Sequence, residues 1–343
     1  MKIYTSIFEK VIATESLFDA WSEFRKGKTK RRDVQEYERH LEKSIFRLHR
    51  ALQAKEYRHS SYRSFYIHDP KTRHIRKACV RDRLVHQAVY TVLMQIFECR
   101  FIRDLYSSRL GKGTHRGVEA LRKAALSVSK NNSGPCWALK CDVRKFYDSV
   151  DHEILLTLLG HTIKDADAMW LLKEIVESFH REGTPGKGLP IGNLTSQIFT
   201  NIYLNEFDQF VKHELRVKHY IRFADDFLLL SHRKSDLEAL LPKLKSFLRD
   251  KLQLELHPRK VILRPLHQGI DFLGYVTFPN HRVLRTTTKR RMCRKLNKRL
   301  AQFFEDKRTE ESLNQSFQSY LGVLSHADTH KLQEEIKNAF CWR

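Results

Sequence analysis

Two adjacent carboxylates, Asp225 and Asp226, lie in HYIRFADDFLLLS (219–231) between two apolar runs of strand length. Flanks this rich in aromatic and aliphatic residues predict a β-hairpin with the Asp pair at its tip. Like charges a few ångströms apart repel by about 1 kcal/mol in water, and by more once shielded from it. Aspartate is also an ordinary turn residue, so the pair alone is weak evidence of chemistry. A third carboxylate in a matching setting changes that. CWALKCDVRKFYDSVDH (136–152) reads as a strand running into a turn, with Asp142 where the apolar run ends. Two hairpin aspartates and one from a neighbouring strand would form an acidic cluster, costly unless divalent cations neutralise it. Two Mg2+ ions could activate a hydroxyl and stabilise the leaving oxygen of an in-line phosphoryl displacement. Mg2+ takes carboxylates together with substrate phosphates and waters, which suits a nucleoside triphosphate.

The rest of the chain is strongly basic. Sixty-three Lys and Arg against forty Asp and Glu give a formal charge of +23, which implies a large anionic partner, nucleic acid before an anionic membrane. No apolar run approaches the roughly 20 residues that span a bilayer, so no membrane partner is expected. The N-terminal stretch carries Glu9 and Glu15 without a continuous apolar core and does not read as a secretory signal. Six cysteines (79, 99, 136, 141, 293 and 341) show no CxxC spacing, and a reduced, cytoplasmic setting is expected. An acidic cluster inside a basic chain is what a template-directed polymerase palm requires.

The elements that must position these groups follow from periodicity. Residues 14–55 read as two helical stretches separated by the basic run 25–32. Residues 57–80 alternate aromatic and β-branched positions around an Asp-Pro-Lys turn and predict a basic hairpin. A helix is expected from Arg81 to Cys99, and GKGTHRG (111–117) reads as a loop and helix start rather than a phosphate-binding fingerprint. A helix should follow from about Asp151, and 183–211 reads as a flexible loop followed by a long helix. Beyond the Asp-Asp hairpin come a helix at 235–250, a strand near 252–263 and the short segment DFLGYV (271–276). Residues 281–300 carry nine Lys or Arg and no acid. Strands and helices without a clean βαβ alternation predict an α+β fold with helical flanks.

With these motifs in order, the chain resembles the reverse transcriptases. Asp142 in LKCDVRKFYDSVDH matches the first catalytic motif of that family, and Phe223-Ala224-Asp225-Asp226 matches its aromatic-x-Asp-Asp box, with Phe where Tyr is more usual. LPIGNLTSQ (189–197) matches the loop under the incoming nucleotide, Lys260 in LELHPRKV the following motif, and FLGY (272–275) the primer grip. The resemblance implies a right-hand polymerase: a short N-terminal helical extension (1–56), fingers (57–135), a palm (136–278, with part of 160–200 fingers-like) and a basic helical thumb (279–343). It also implies RNA-directed DNA synthesis from dNTPs on a template RNA, extending a DNA primer into cDNA. Three stretches, LFDAWSEFRKGK, FYIHDPKTRHI…RDRLVHQA and IGNLTSQ, are most similar to the enzymes of diversity-generating retroelements, which are bacterial or phage-encoded. That subgroup implies error-prone copying at template adenines and a small, basic, helical-bundle accessory variability protein.

Individual roles follow from the same resemblance. Asp142, Asp225 and Asp226 are the catalytic carboxylates, with Asp142, the Val143 carbonyl and Asp225 as ligands of two Mg2+ ions. Tyr147 stands where the family places the ring that excludes a ribose 2′-OH, although a buried aromatic of the core has the same appearance. Arg73 matches the arginine over the triphosphate; its planar guanidinium suits both phosphate and base, and a template-contacting arginine is the alternative. Lys71 and Arg81 are weaker candidates for that duty. Lys260 could protonate the pyrophosphate, or be an exposed strand-end lysine. Gly192 lets the backbone approach the nucleotide, or serves only as a turn glycine. Ile191 and Gln197 stand where most of the family has Gln and Pro. Two other readings remain: a reverse transcriptase of an antiphage defence, retron or group II intron-like system, and a non-catalytic RNA-binding palm. The short stretch beyond the thumb speaks against a full-length intron protein with an endonuclease, and retention of three aspartates against a dead palm.

Overall fold

The computed structural model describes residues 2–69 and 71–340. Pro70 of the Asp-Pro-Lys turn and Cys341 therefore lie outside the described residues. The chain begins with helices α1 (Phe8–Ile12), α2 (Thr14–Arg25), α3 (Arg32–Glu38) and α4 (Leu41–Gln53). A hairpin of β1 (Arg63–Ile67) and β2 (Arg73–Lys77) leads to α5 (Val80–Phe97) and α6 (Thr114–Val128). Then come β3 (Trp137–Asp142), α7 (Phe146–Ser149), α8 (His152–Thr162), α9 (Ala166–Glu177) and α10 (Leu194–Gln209). Next are β4 (Tyr220–Phe223), β5 (Asp226–Ser231), α11 (Lys234–Leu252), β6 (Ile262–Pro265), β7 (Ile270–Phe272), β8 (Tyr275–Thr277) and β9 (Arg282–Leu284). Helices α12 (Thr286–Phe304), α13 (Glu310–Leu324) and α14 (His330–Phe340) close the described chain. The α+β class expected from the sequence is what is found.

The chain divides into two compact units, each assembled from three stretches: Met1–Arg103, Asp142–Arg216 and Pro242–Pro258 in one, and Asp104–Cys141, Val217–Leu241 and Arg259–Arg343 in the other. The first is helical apart from the β1–β2 hairpin. Its centre is α5, which packs on α2 and α10, while α10 packs on α8. Both central helices are buried on most faces, including the polar Asp82, His86, Thr195, Asn201 and Asp208. A helix enclosed in this way needs no polar stripe, which is why their sequences lack one. Asp151 and Asp165 cap α8 and α9, each accepting two backbone N–H groups of the first turn.

The second unit is built on antiparallel ladders. A four-stranded sheet has the order β4-β5-β3-β6, with Phe223 opposite Asp226 and Lys140 opposite Ile262. Leu121 and Ala125 of α6 bury Ala138, Ile221, Leu228 and Leu230 of this sheet. A three-stranded sheet, β7-β8-β9, shares a second apolar cluster with α12, α13 and α14 through Tyr275, Leu284, Met292, Leu296, Leu324 and Ile336.

Three expectations need correction. The stretch 14–55 holds three helices rather than two, since Arg39 and His40 interrupt the second; no Gly or Pro announces that break. The strand expected near 252–263 is confined to Ile262–Pro265. Helix α11 runs on to Leu252, Gln253 turns left-handed (φ 49°) to end it, and Pro258 offers no ladder donor. DFLGYV is two strands, not one segment. Leu273 (φ 52°) and Gly274 (φ 91°) form a two-residue turn between β7 and β8, both in the left-handed region that a type I′ hairpin demands. A leucine there is unusual. It is accommodated because Gly117 leaves room: a Cβ on Gly117 would stand 3.0 Å from Leu273 Cδ1.

Candidate active site

The β4–β5 turn is tighter than an Asp-Asp tip. Phe223 and Asp226 close the ladder, so Ala224 and Asp225 are the loop and Asp226 opens the returning strand. Ala224 takes φ 52°, a region non-glycine residues avoid at a cost of about 1–2 kcal/mol. Two contacts hold it there. Its N–H donates to the Ser107 hydroxyl at 2.9 Å, and its carbonyl accepts from the Arg222 guanidinium at 3.1 Å. Arg222 is itself 0% exposed, and its backbone exchanges hydrogen bonds with Asp104 and Tyr106, which cover the outer edge of β4. The tip is thus an over-determined, strained turn, as is common where chemistry needs fixed groups.

Asp226 has the Lys140 ammonium 3.8 Å from its Oδ2. Lys140 also donates to the Asp271 carbonyl at 2.9 Å, and Arg285 pairs with the Asp271 carboxylate. A basic residue two positions before Asp142 lies on the same face of the strand. That spacing was readable in the sequence, and Lys140 was missed. Asp142 is the last residue of β3, the neighbour of β5 in the sheet, and is 8% exposed. Its carbonyl accepts from the His257 N–H at 2.8 Å, and Val143 bridges to Leu256. Lys260 is half-buried between Pro258 and β6.

In the helical unit the structure draws several of the expected residues together. The Tyr147 carbonyl accepts from Leu189 N–H at 2.7 Å, and Val150 from Gly188 at 2.8 Å, so the loop 186–192 is stitched to the segment after Asp142. Tyr147 itself is half-buried on α7. The Ile191 carbonyl accepts from Arg76 N–H at 3.1 Å, which sets Ile191 against β2. Gly192 has φ 114°, and a Cβ there would come within 2.9 Å of Ile75 Cγ2. The glycine is therefore required by backbone conformation and by the approach of β2, more than a plain turn glycine would be. Gln197 is exposed on the first turns of α10, while Lys71 and Arg73 are exposed at the tip of the β1–β2 hairpin. Arg81 instead pairs with buried Asp82 and donates to the Arg58 carbonyl, which ties it to the base of that hairpin.

A buried polar chain underlies the loop, and sequence reasoning assigned it no role. The Ser60 carbonyl can only accept, so His59 Nδ1 carries the hydrogen of their 2.6 Å contact. Neutral His59 then accepts at Nε2 from His86 Nε2–H (3.0 Å), and His86 Nδ1 accepts from the Thr195 hydroxyl (2.8 Å). Burial favours the neutral form of both imidazoles and pushes His86 down to about 3. The chain links the start of α10 to the residues leading into β1. No short motif encodes it, because its members are scattered over 136 positions from His59 to Thr195.

Residues 67–277 match the family described as "Reverse transcriptase (RNA-dependent DNA polymerase)", and the chain belongs to that family. Its fold is that of the right-hand polymerases. Among curated relatives, the protein YkfC of Escherichia coli is 24% identical over 61% of this chain and 62% of its own length. The group II intron-encoded protein LtrA of Lactococcus lactis is 23% identical over 57% of this chain and 42% of its own. The chain therefore spans less than two thirds of either relative. An apo telomerase of Candida tropicalis aligns with a TM-score of 0.48 at 12% identity, over 65% of this chain and 48% of that one. Among the described residues, no helix is long and apolar enough to cross a membrane.

Proposed function

We propose that the chain is an RNA-directed DNA polymerase of a diversity-generating retroelement, copying a template RNA into cDNA with errors at adenines. The observation that supports the catalytic part is the strained β4–β5 turn, in which Ser107 and Arg222 pin the backbone just ahead of Asp225 and Asp226. Hard carboxylate oxygens fit Mg2+, which is commonly bound by one or two carboxylates and completed by substrate phosphates. Asp142, Asp225 and the Val143 carbonyl would hold two such ions, which when bound offset charge on the triphosphate and lower the pKa of the primer 3′ hydroxyl. The 3′ oxygen attacks the α-phosphorus as the bond to pyrophosphate breaks; the hydroxyl proton passes to water, and Lys260 would supply a proton to the departing pyrophosphate. Arg73 and Lys71 bind the triphosphate, and Tyr147 lies beneath the sugar. Template RNA and the DNA primer occupy the basic surface of the fingers and of the thumb helices after residue 279. An accessory variability protein is the proposed partner.

The mutagenic part rests on Ile191. Glutamine at this position can hydrogen-bond near the sugar of the incoming nucleotide; Ile191 offers only apolar contact. Its carbonyl accepts from the Arg76 N–H, which fixes the backbone against β2, and its apolar side chain has no group with which to fasten a sugar. Misplacement by about 1 Å costs about 10²-fold in rate, so a looser grip slows correct insertion and narrows its lead over mismatches. cDNA made on a template of mixed bases, by wild type and Ile191→Gln side by side, tests this. Errors concentrated at template adenines and reduced by the substitution are expected. Errors spread evenly over the four bases would remove the retroelement reading. The likeness to LtrA favours a second reading, a group II intron-related enzyme, for which uniformly accurate cDNA would be the outcome.

A further inference from the structure

Lys140 stands on β3, an interior strand of the four-stranded sheet, and its side chain is only 16% exposed. A lysine is seldom buried that far without a partner. This one has two. Its Nζ donates to the Asp271 carbonyl at 2.9 Å and lies 3.8 Å from Asp226 Oδ2. The first contact is a hydrogen bond. The second is too long for one and acts through charge alone.

The tether is rigid. Asp271 lies on β7, and Arg285 holds both ends of the turn that follows it. The Arg285 guanidinium pairs with the Asp271 carboxylate, and the Arg285 N–H donates to the Gly274 carbonyl at 2.9 Å. Between those ends Phe272 is 0% exposed, and Leu273 is packed against the space at Gly117. The Lys140 ammonium is therefore a fixed positive charge, and the Asp226 carboxylate orients to it. A divalent cation is drawn to every hard carboxylate oxygen within reach. A unit positive charge held against one of them weakens that pull.

We infer that Lys140 is a positioning residue of the polymerase site: its tethered ammonium matches the charge of Asp226 and keeps that carboxylate from becoming a ligand, so that Asp225 rather than Asp226 takes the metal. The inference rests on the polymerase reading, but metal binding by itself reports on it. It has an unusual consequence. Removing the lysine charge should tighten metal binding and slow synthesis together, because the ion is then shared with a carboxylate that holds it out of place. A lysine that only filled space would do neither in that combination.

The experiment follows free Mn2+ by electron paramagnetic resonance as the ion is titrated into the full chain without nucleic acid. Lys140→Met keeps the length of the side chain and loses its charge, and Lys140→Gln keeps a donor but no charge. Both should bind Mn2+ about tenfold tighter than wild type, the order set by removing one unit charge a few ångströms from a divalent ion. Lys140→Arg, which keeps the charge, should bind as wild type does. Primer extension at saturating Mn2+ should fall by about 10²-fold in the two neutral variants, the cost of a misplacement near 1 Å. Unchanged or weaker Mn2+ binding by both neutral variants overturns the inference. So does equal tightening by Lys140→Arg, or tighter binding with an undiminished rate. Mn2+ binding that Asp225→Asn does not weaken would overturn the metal assignment and this inference with it, a result distinct from the other three.

Discussion

The molecule contains two β-hairpins of nearly equal length put to opposite uses. In β4–β5 the strands are buried, the turn is strained, and Ser107 and Arg222 pin both backbone groups of Ala224. In β1–β2 every residue of the first strand is exposed, and Tyr66 stacks on His74 at 4.3 Å in the open. Buried ladders fix atoms, which a group acting on a phosphorus requires. Exposed aromatic and basic ladders leave side chains able to settle on bases and phosphates of any sequence. On the proposed function, the difference separates a part that does chemistry from a part that handles substrate.

That contrast can be broken at several points. The largest effect should be on binding. If the outer hairpin and the other basic surfaces neutralise six to ten phosphates, RNA affinity should fall by about 10³–10⁵ between 50 and 200 mM salt. A flat salt titration would deny the exposed hairpin its role.

Acid should act next, through the polar chain below the loop. His59 and His86 are depressed in the folded state, so the unfolded chain binds more protons once the pH drops below the ordinary histidine value near 6.5. Stability is therefore complete above that value and is lost as the pH falls from about 6.5, for His86 toward its folded pKa of about 3. Between pH 7 and 5 the buried His86 alone should cost about 2 kcal/mol. Chemical denaturation of wild type and His86→Gln at both pH values checks this, with the smaller pH dependence expected in the variant. Equal dependence in the two proteins would mean the histidine chain does not exist.

A paired substitution gives the smallest and sharpest contrast. Ser107→Ala leaves the strained turn without its brace and should cost about 1–3 kcal/mol with a loss of synthesis rate. Tyr66→Ala, at an exposed site, should change stability by less than about 0.5 kcal/mol and weaken RNA binding. The reverse pattern would erase the distinction between the hairpins.

Much of this was legible in the sequence from local signals. The β4–β5 flanks and the β3 run ending at Asp142 follow from apolar runs of strand length, and the long helices α5 and α10 from long stretches free of Gly and Pro. Legibility failed where tertiary packing overrides local preference. Ala224 and Leu273 adopt left-handed conformations that their side chains disfavour, because Ser107 and the space above Gly117 are supplied from elsewhere in the chain. Asn193 stands at the N-cap of α10 without a side-chain bond to the first turn, which only the fold shows. The late start of β6 reflects Pro258 and the overrun of α11, a competition between two elements that no window on one of them reveals.

The most direct test is primer extension on an RNA template with dNTPs and Mg2+, by wild type and Asp225→Asn, with melting curves run alongside. Wild type should extend the primer. The variant should melt within a few degrees of it and lose at least about 10²–10³-fold in rate, the range for removing one electrostatic stabiliser of a transition state. A folded Asp225→Asn protein that extends at near the wild-type rate would contradict the assignment of the β4–β5 turn as the catalytic one.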